Sequence, residues 1–66
     1  MKNFLSTRRK ELKLTQPQVA EKAGLSNYTV LQGYENGRHE PTVSVAIRLA
    51  QALNSTVEDL FVLDDD

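Results

Sequence analysis

Apolar residues recur along most of the chain at the three- and four-residue spacing of helices, and capping and turn residues divide them into five predicted helices. The first is expected over residues 4–13, with Leu5 and Leu12 seven residues apart. No segment has a convincing strand pattern. The sequence therefore predicts an all-α fold in a single domain spanning residues 1–66, in which residues 62–66 form a C-terminal tail that frays at its last three positions.

The second and third helices are marked by start and stop signals. Thr15 is expected to cap the second helix, with Gln18 as its capping-box partner, and Gly24 is expected to end it in the left-handed conformation. Ser26 is expected to cap the third helix, which runs to about Glu35. The predicted buried face of the second helix consists of Val19, Ala20 and Ala23.

The fourth helix has the cleanest apolar stripe in the sequence. Thr42 is expected to cap this helix and Asn54 to close it. A last short helix is predicted after a cap at Thr56, with Leu60 and Phe61 facing inward. The stripe of the fourth helix consists of Val43, Ala46, Ile47, Ala50 and Leu53.

Composition narrows the class of protein. Sixty-six residues make one small domain of marginal stability. The chain contains no cysteine, so neither a disulfide nor a thiolate metal site is available. No apolar run approaches the roughly 18 residues of a membrane span, and the N-terminus lacks the apolar region of a signal peptide. We therefore expect a soluble cytoplasmic protein.

The formal net charge is −1, but the charges are unevenly distributed. Residues 1–40 contain seven Lys or Arg and four Asp or Glu, whereas residues 41–66 contain one Arg and five Asp or Glu. A small bipolar domain can face a polyanion with its basic end. An ordinary solvated surface explains the same charges equally well.

The sequence has no recognisable catalytic or metal-binding constellation. His39 is the only histidine, and it lies in a polar loop without a second histidine or a carboxylate at ligand spacing. Most Ser and Thr residues stand where helix caps are needed, and no Gly-rich phosphate loop is present. We therefore expect no enzyme, and neither a bound metal nor a cofactor.

Residues 15–35 contain two short helices joined by a turn with glycine, which is the arrangement of a helix-turn-helix. Three motifs extend this similarity: R-x-x-L-x-L-T-Q at residues 9–16, V-A-E-K-A-G-L-S at residues 19–26 and Y-E-N-G-R at residues 34–38. The chain resembles the helix-turn-helix family of phage repressors and Cro proteins, often called the XRE family, over residues 5–61. The resemblance implies a compact five-helix, lambda-repressor-like domain with the motif as its second and third helices.

The resemblance also implies roles for individual residues. Arg9 matches an arginine that pairs with the glutamate of the E-N-G motif, here Glu35. Gln16 matches a glutamine that binds a DNA phosphate at a helix N-terminus, where an anion is favoured. The residues expected to bind DNA phosphates are Gln16, Gln18, Ser26, Asn36 and Arg38.

The third helix is expected to place its N-terminal residues in the major groove of DNA. Asn and Gln can pair with adenine in bidentate fashion, and Thr29 can contact a thymine methyl group or a phosphate. For any one exposed residue, solvation of the helix face is almost as good an explanation. The candidate base readers are Asn27, Tyr28, Thr29 and Gln32.

Ten residues separate Gly24 from Glu35, one more than in related sequences. Because one helical residue is a rotation of about 100°, the position of the extra residue decides which side chains face the DNA. A glycine in mid-helix costs about 1 kcal/mol relative to alanine, and we therefore favour a bulged turn at Gly33 that places Val30 in the core. The main readers in this arrangement are Asn27 and Tyr28.

The alternative places the extra residue near Ser26 and Asn27. Leu31 and Tyr34 then belong to the core, and the third helix is unbroken. The main readers in this arrangement are Tyr28, Thr29 and Gln32.

We expect sequence-specific binding of double-stranded DNA that regulates transcription, and the resemblance points to a repressor of the phage or mobile-element type. A domain of this size contacts few base pairs, so a homodimer on two half-sites about one helical turn apart would supply specificity. The expected dimer surface is the apolar run Phe61, Val62 and Leu63, although these residues can also simply cover the end of the core.

A protein-binding module is the alternative function. An antitoxin-like protein could use the same fold with its acidic C-terminal half against a basic partner. This function can coexist with DNA binding.

Overall fold

Five short helices and one pair of strands form the structure, a computed structural model that describes residues 1–63. α2 packs against α3 and α4, and α5 packs against α4. The expected five-helix architecture is confirmed, with the strands as an addition to it. In chain order the elements are β1 (Lys2–Asn3), α1 (Leu5–Glu11), α2 (Gln16–Lys22), α3 (Tyr28–Glu35), α4 (Val43–Ala52), α5 (Val57–Leu60) and β2 (Phe61–Val62).

A cluster of buried apolar side chains holds the helices together. Leu5 of α1, Leu31 of α3 and Leu49 of α4 have no exposed surface. Removing a leucine side chain from water contributes roughly 1.5–3 kcal/mol, so each helix is attached to the domain chiefly through such residues. The cluster consists of Leu5, Val19, Ala23, Leu31, Leu49, Ala50, Leu53 and Leu60.

The buried face of α4 is rotated from the predicted stripe. Val43 is 77% exposed and Ile47 is 44% exposed, so their prediction as core residues is wrong. Leu49, which the predicted stripe lacked, is fully buried. The buried face of α4 begins at Ala46, and Val43 lies outside it. The sequence does not decide between the two faces, because each carries apolar residues at helical spacing. The residues buried as predicted are Ala46, Ala50 and Leu53.

The two ends of the described chain form a short antiparallel sheet that the sequence did not predict. Lys2 pairs with Val62 and Asn3 pairs with Phe61, so Val62 belongs to a strand and not to a tail. Two-residue strands are too short to show an alternating pattern, and only the folded structure brings these distant segments together. Residues 64–66, which were expected to fray, lie outside the described residues.

Most of the predicted capping and turn residues lie at helix ends in the structure. The Gln18 N–H donates to the Thr15 hydroxyl at 3.2 Å, and the Thr15 N–H donates to the Gln18 side-chain oxygen at 2.8 Å. These two hydrogen bonds complete the capping box of α2. The residues that cap or close the other helix ends as predicted are Gly24, Thr42, Asn54 and Thr56.

α1 ends at Glu11, earlier than predicted, because Lys13 adopts the left-handed conformation with a φ of 59°. The Lys13 N–H donates to the Lys10 carbonyl at 3.0 Å, and the Leu14 N–H donates to the Arg9 carbonyl at 3.0 Å. These bonds satisfy carbonyl groups at the end of the helix. The left-handed conformation costs a residue with a Cβ atom roughly 1–2 kcal/mol.

Residues 1–63 contain no candidate membrane span and no candidate metal site. None of their helices combines the length and the apolar character needed to cross a membrane. Within the same residues, no three His, Asp or Glu side chains are grouped so that they could hold a metal ion.

Lys13→Gly is expected to stabilise the protein by up to about 1 kcal/mol. Glycine removes the steric cost of the left-handed conformation. The greater entropy of the unfolded glycine variant offsets only part of this gain. Lys10→Gly is the matched control, because Lys10 is an exposed residue inside α1, where glycine is expected to cost about 1 kcal/mol. Urea unfolding followed by circular dichroism measures both free energies. Equal destabilisation by the two changes would contradict the left-handed conformation of Lys13.

Candidate nucleic-acid interface

α2 and α3 pack against each other and are joined by a tight turn. Gly24 has a φ of 74°, in the left-handed region that favours glycine. The Leu25 N–H donates to the Ala20 carbonyl at 2.8 Å, and the Leu25 side chain is half-buried against the core. Residues 15–35 therefore form the expected helix-turn-helix, with α3 as its second helix.

Asn27 caps α3, and the prediction of Ser26 as the cap is wrong. The Asn27 Oδ1 accepts hydrogen bonds from the Thr29 N–H at 3.0 Å, from the Val30 N–H at 3.3 Å and from the Thr29 hydroxyl. Asparagine is as good an N-cap as serine, so two such residues in adjacent positions do not reveal which one is the cap. Ser26 is exposed and lies one residue before the cap.

α3 is an unbroken α-helix, and the favoured bulge at Gly33 is therefore wrong. Leu31 is fully buried and Tyr34 packs against the core, whereas Val30 is only half-buried. These features match the alternative arrangement, in which Leu31 and Tyr34 belong to the core and the helix is unbroken. Burying Leu31 in place of Val30 removes more apolar surface from water and leaves an ordinary helix.

Gly33 makes room for the loop that follows α3. A methyl group at Gly33 would lie 2.9 Å from Cδ2 of His39, closer than carbon atoms pack. The Gly33 carbonyl also accepts the Arg38 N–H at 3.0 Å and the His39 N–H at 3.2 Å. The loop that contains Asn36 and Arg38, two of the predicted phosphate ligands, is therefore folded back onto α3.

The exposed side of α3 carries three of the four candidate base readers. Tyr28, Thr29 and Gln32 are exposed, and their spacing places them on adjoining positions of one helix face. Among the described residues, the Gln32 amide makes no hydrogen bond and is free. Asn27, the fourth candidate, has its side-chain oxygen engaged in the cap and keeps only its Nδ2 group as a free donor.

A buried ion pair holds the C-terminal end of α3. Arg9 Nε donates to Glu35 Oε2 at 2.8 Å, and Arg9 Nη2 donates to Glu35 Oε1 at 3.2 Å. The two side chains are only 13% and 8% exposed. Gln16 Nε2 donates to the same carboxylate at 3.0 Å, and Arg9 Nη1 donates to the Leu14 carbonyl at 3.0 Å. The pair that the resemblance implies is thus present, and it joins α1, α2 and α3.

The charge of Glu35 makes this pair necessary. Glu35 is the last residue of α3, where the helix dipole disfavours a negative charge. The Arg9 guanidinium compensates that charge, and its bidentate geometry fixes direction as well as distance. Desolvation offsets much of the attraction in a buried pair, but the loss of either partner leaves the other charge buried and unpaired. The position of α3 therefore depends on both residues.

The predicted phosphate ligands are not equally free. Gln18 uses its side-chain oxygen in the capping box, and Gln16 uses one of its two amide protons in the ion-pair cluster. Asn36 Oδ1 accepts the Arg38 N–H at 2.9 Å. Within residues 1–63, the Arg38 guanidinium makes no hydrogen bond or ion pair and is exposed. Arg38 is therefore the cation of this loop that is available to an anion.

Asn3 supports α3 although the sequence did not indicate it. Its Nδ2 donates to the Tyr34 carbonyl at 2.9 Å, and its Oδ1 accepts the Leu5 N–H at 3.2 Å. Asn3 therefore joins the terminal sheet to the C-terminal end of α3. No local pattern marks this residue, because its partner is a backbone carbonyl 31 residues away.

Glu35→Ala is expected to lower the free energy of unfolding by about 3 kcal/mol, because it leaves the Arg9 guanidinium buried without a counter-ion. Glu11→Ala is the matched control. Glu11 pairs with Arg8 at 3.3 Å at a more exposed site, where the loss is expected to stay below about 1 kcal/mol. Urea unfolding measures both values. Similar losses for the two variants would show that burial does not distinguish the two pairs.

Gly33→Ala tests the contact between α3 and the following loop. Alanine favours a helix by about 1 kcal/mol over glycine, but its methyl group would displace the His39 ring. We expect the full gain only in a His39→Ala background and a smaller gain, or none, in the original chain. A double-mutant cycle of unfolding free energies measures the difference. Additive effects would mean that the ring does not pack on Gly33.

Comparison with known proteins agrees with this geometry. The model of a helix-turn-helix family matches residues 5–60. An uncharacterised HTH-type transcriptional regulator of Methanothermobacter thermautotrophicus is 40% identical over 67 residues, which cover 100% of this chain and 96% of the relative. Another, from Methanocaldococcus jannaschii, is 35% identical over 66 residues, which cover 100% of this chain and 98% of the relative.

A solved structure shows the same fold. The restriction-modification controller protein C.AhdI from Aeromonas hydrophila matches with a TM-score of 0.81 and 28% sequence identity, over 86% of this chain and 85% of that chain. The family match spans all five helices, including α2, the turn and α3. The chain belongs to the helix-turn-helix family of phage repressors and Cro proteins.

Proposed function

We propose that this protein binds double-stranded DNA in a sequence-specific manner and regulates transcription as a repressor. The observation that carries the proposal is the exposed N-terminal face of α3, which presents free polar groups on a helix whose other end is fixed by the Arg9–Glu35 pair. A helix held in this way can enter the major groove without rearrangement. The relatives named as transcriptional regulators support the same function.

The register of α3 determines which side chains face the bases. With Leu31 in the core, the exposed residues Tyr28, Thr29 and Gln32 become the proposed base readers. Asn27 has a different role, because its oxygen caps the helix. Its remaining Nδ2 group can donate to a phosphate or to an acceptor on a base.

Contacts to the DNA backbone are proposed before and after α3 in the chain. Gln16 can donate its second amide proton to a phosphate, and Arg38 can offer its free guanidinium. Because the net charge of the protein is −1, affinity depends on these local groups, and the contact made by Arg38 should weaken as the salt concentration rises. The full proposed set of phosphate ligands is Gln16, Gln18, Ser26, Asn36 and Arg38.

A two-fold dimer is proposed to double the length of DNA that is read. Val62 is 41% exposed and Leu63 is 74% exposed, so a second copy could cover them, while Phe61 already packs against the core. Two copies would place their α3 helices in successive major grooves, about 34 Å apart. The operator would then consist of two half-sites related by two-fold symmetry.

The double variant Tyr28→Ala/Gln32→Ala is expected to lose specific binding and to retain weak binding to any duplex, because its phosphate ligands are unchanged. Fluorescence anisotropy measures both affinities, using a duplex selected from a random library and a scrambled duplex over a series of salt concentrations. Gln51→Ala is the control, because Gln51 is an exposed residue of α4 and not of α3. It should leave both affinities unchanged.

Two results would count against the proposal. Specific affinity that survives in the double variant would show that α3 does not read the bases. A folded protein that binds no duplex even at low salt would overturn the DNA-binding function and leave the protein-binding alternative.

A further inference from the structure

The face of α3 that is free to meet DNA carries no charge. Its exposed residues are Tyr28, Thr29 and Gln32, and the only charged residue of the helix is Glu35 at its far end. The Glu35 carboxylate is bound by Arg9 and almost fully buried. No guanidinium, ammonium or free carboxylate therefore projects from this helix among the described residues.

The absence of charge on α3 limits the base pairs that it can recognise. The commonest specific contact with guanine is made by Arg or Lys to O6 and N7, and the contact with the cytosine amino group is made by Asp or Glu. α3 offers neither type of side chain. Arg38 lies on the loop beyond the C-terminal end of α3, whereas the N-terminal end of such a helix enters the groove.

Gln32 has the groups that recognise adenine. Its side-chain oxygen and amino group are both free within residues 1–63. A glutamine amide can accept a hydrogen bond from adenine N6 and donate one to N7. Asn27 cannot do the same, because its oxygen is already an acceptor for the cap of α3.

Thr29 and Tyr28 have the groups that suit thymine. The Thr29 hydroxyl proton is donated to Asn27 Oδ1, which leaves the hydroxyl oxygen as an acceptor and the methyl group as an apolar contact. Tyr28 is 46% exposed and presents an aromatic ring at the first position of the helix. Methyl and aromatic groups contact the C5 methyl group of thymine in the major groove.

We propose that the base pairs read by α3 in each half-site are A·T pairs, with Gln32 on adenine and with Thr29 and Tyr28 against thymine methyl groups. This inference rests on the proposed DNA-binding function. It adds the chemistry of the recognised bases, which is argued from the uncharged exposed face of α3, from the free Gln32 amide and from the methyl group of Thr29.

The test begins with selection of bound duplexes from a random library by the full chain. The selected duplex is then synthesised with single modified bases. Deazaadenine lacks the N7 acceptor, and deoxyuridine lacks the thymine methyl group, while both keep their Watson–Crick pairing. We expect deazaadenine at the Gln32 position to weaken binding by at least about fivefold, deoxyuridine to weaken it at neighbouring positions, and deazaguanine to have no effect within the bases that α3 contacts.

Variants locate the contact on the protein. Gln32→Ala should weaken binding to the unmodified duplex. It should also abolish the additional effect of deazaadenine, because alanine has no amide to donate a hydrogen bond to adenine N7. Gln51→Ala is the matched control on α4 and should keep the full sensitivity to deazaadenine. A Gln32→Ala variant that remains as sensitive as the original chain would overturn the assignment of Gln32.

The remaining outcomes separate this inference from the proposed function. A selected duplex that is weakened by deazaguanine and not by deazaadenine overturns the A·T assignment and leaves DNA binding intact. An A·T-rich duplex that tolerates both deazaadenine and deoxyuridine indicates recognition of DNA shape, and it also overturns the assignment. If no sequence is enriched, sequence-specific binding itself fails.

Discussion

The bidentate contact between Arg9 and Glu35 is the interaction on which the arrangement of α1, α2 and α3 depends. Apolar side chains attach α3 to the core, but such contacts tolerate small shifts because they have little directional preference. A guanidinium and a carboxylate, in contrast, meet within a narrow range of distance and angle. Because Gln16 binds the same carboxylate, the start of α2 and the end of α3 are fixed by one buried charge.

The other contacts of α3 also act near its C-terminal end. Asn3 binds the Tyr34 carbonyl, and the loop that carries His39 closes on Gly33. The N-terminal end is held by the turn, by the Asn27 cap and by the packing of α3 on α2, and its outer face remains exposed. A helix that is fixed in the fold and exposed on one face can place its polar groups against a ligand without ordering them first. This arrangement explains how a domain of 66 residues can provide a rigid reading surface.

Most features decided by local chemistry could be predicted from the sequence, whereas the choice between neighbouring apolar residues for the core could not. The caps at Thr15, Thr42 and Thr56 follow from side chains that bind neighbouring backbone groups. The choice of Leu31 over Val30 depends on what the rest of the core can accommodate, and the sequence allowed both. The paired strands and the Asn3 contact join distant segments, so no local pattern indicates them.

A nuclear magnetic resonance titration of the labelled protein with its selected duplex tests most directly whether the anchored α3 is the surface that meets DNA. We expect the side-chain amide signals of Gln32 and the backbone signals of Asn27 to Thr29 to shift, while those of Gln51 and its neighbours on α4 stay in place. Shifts confined to α4 and β2, with α3 unchanged, would contradict this role for the helix.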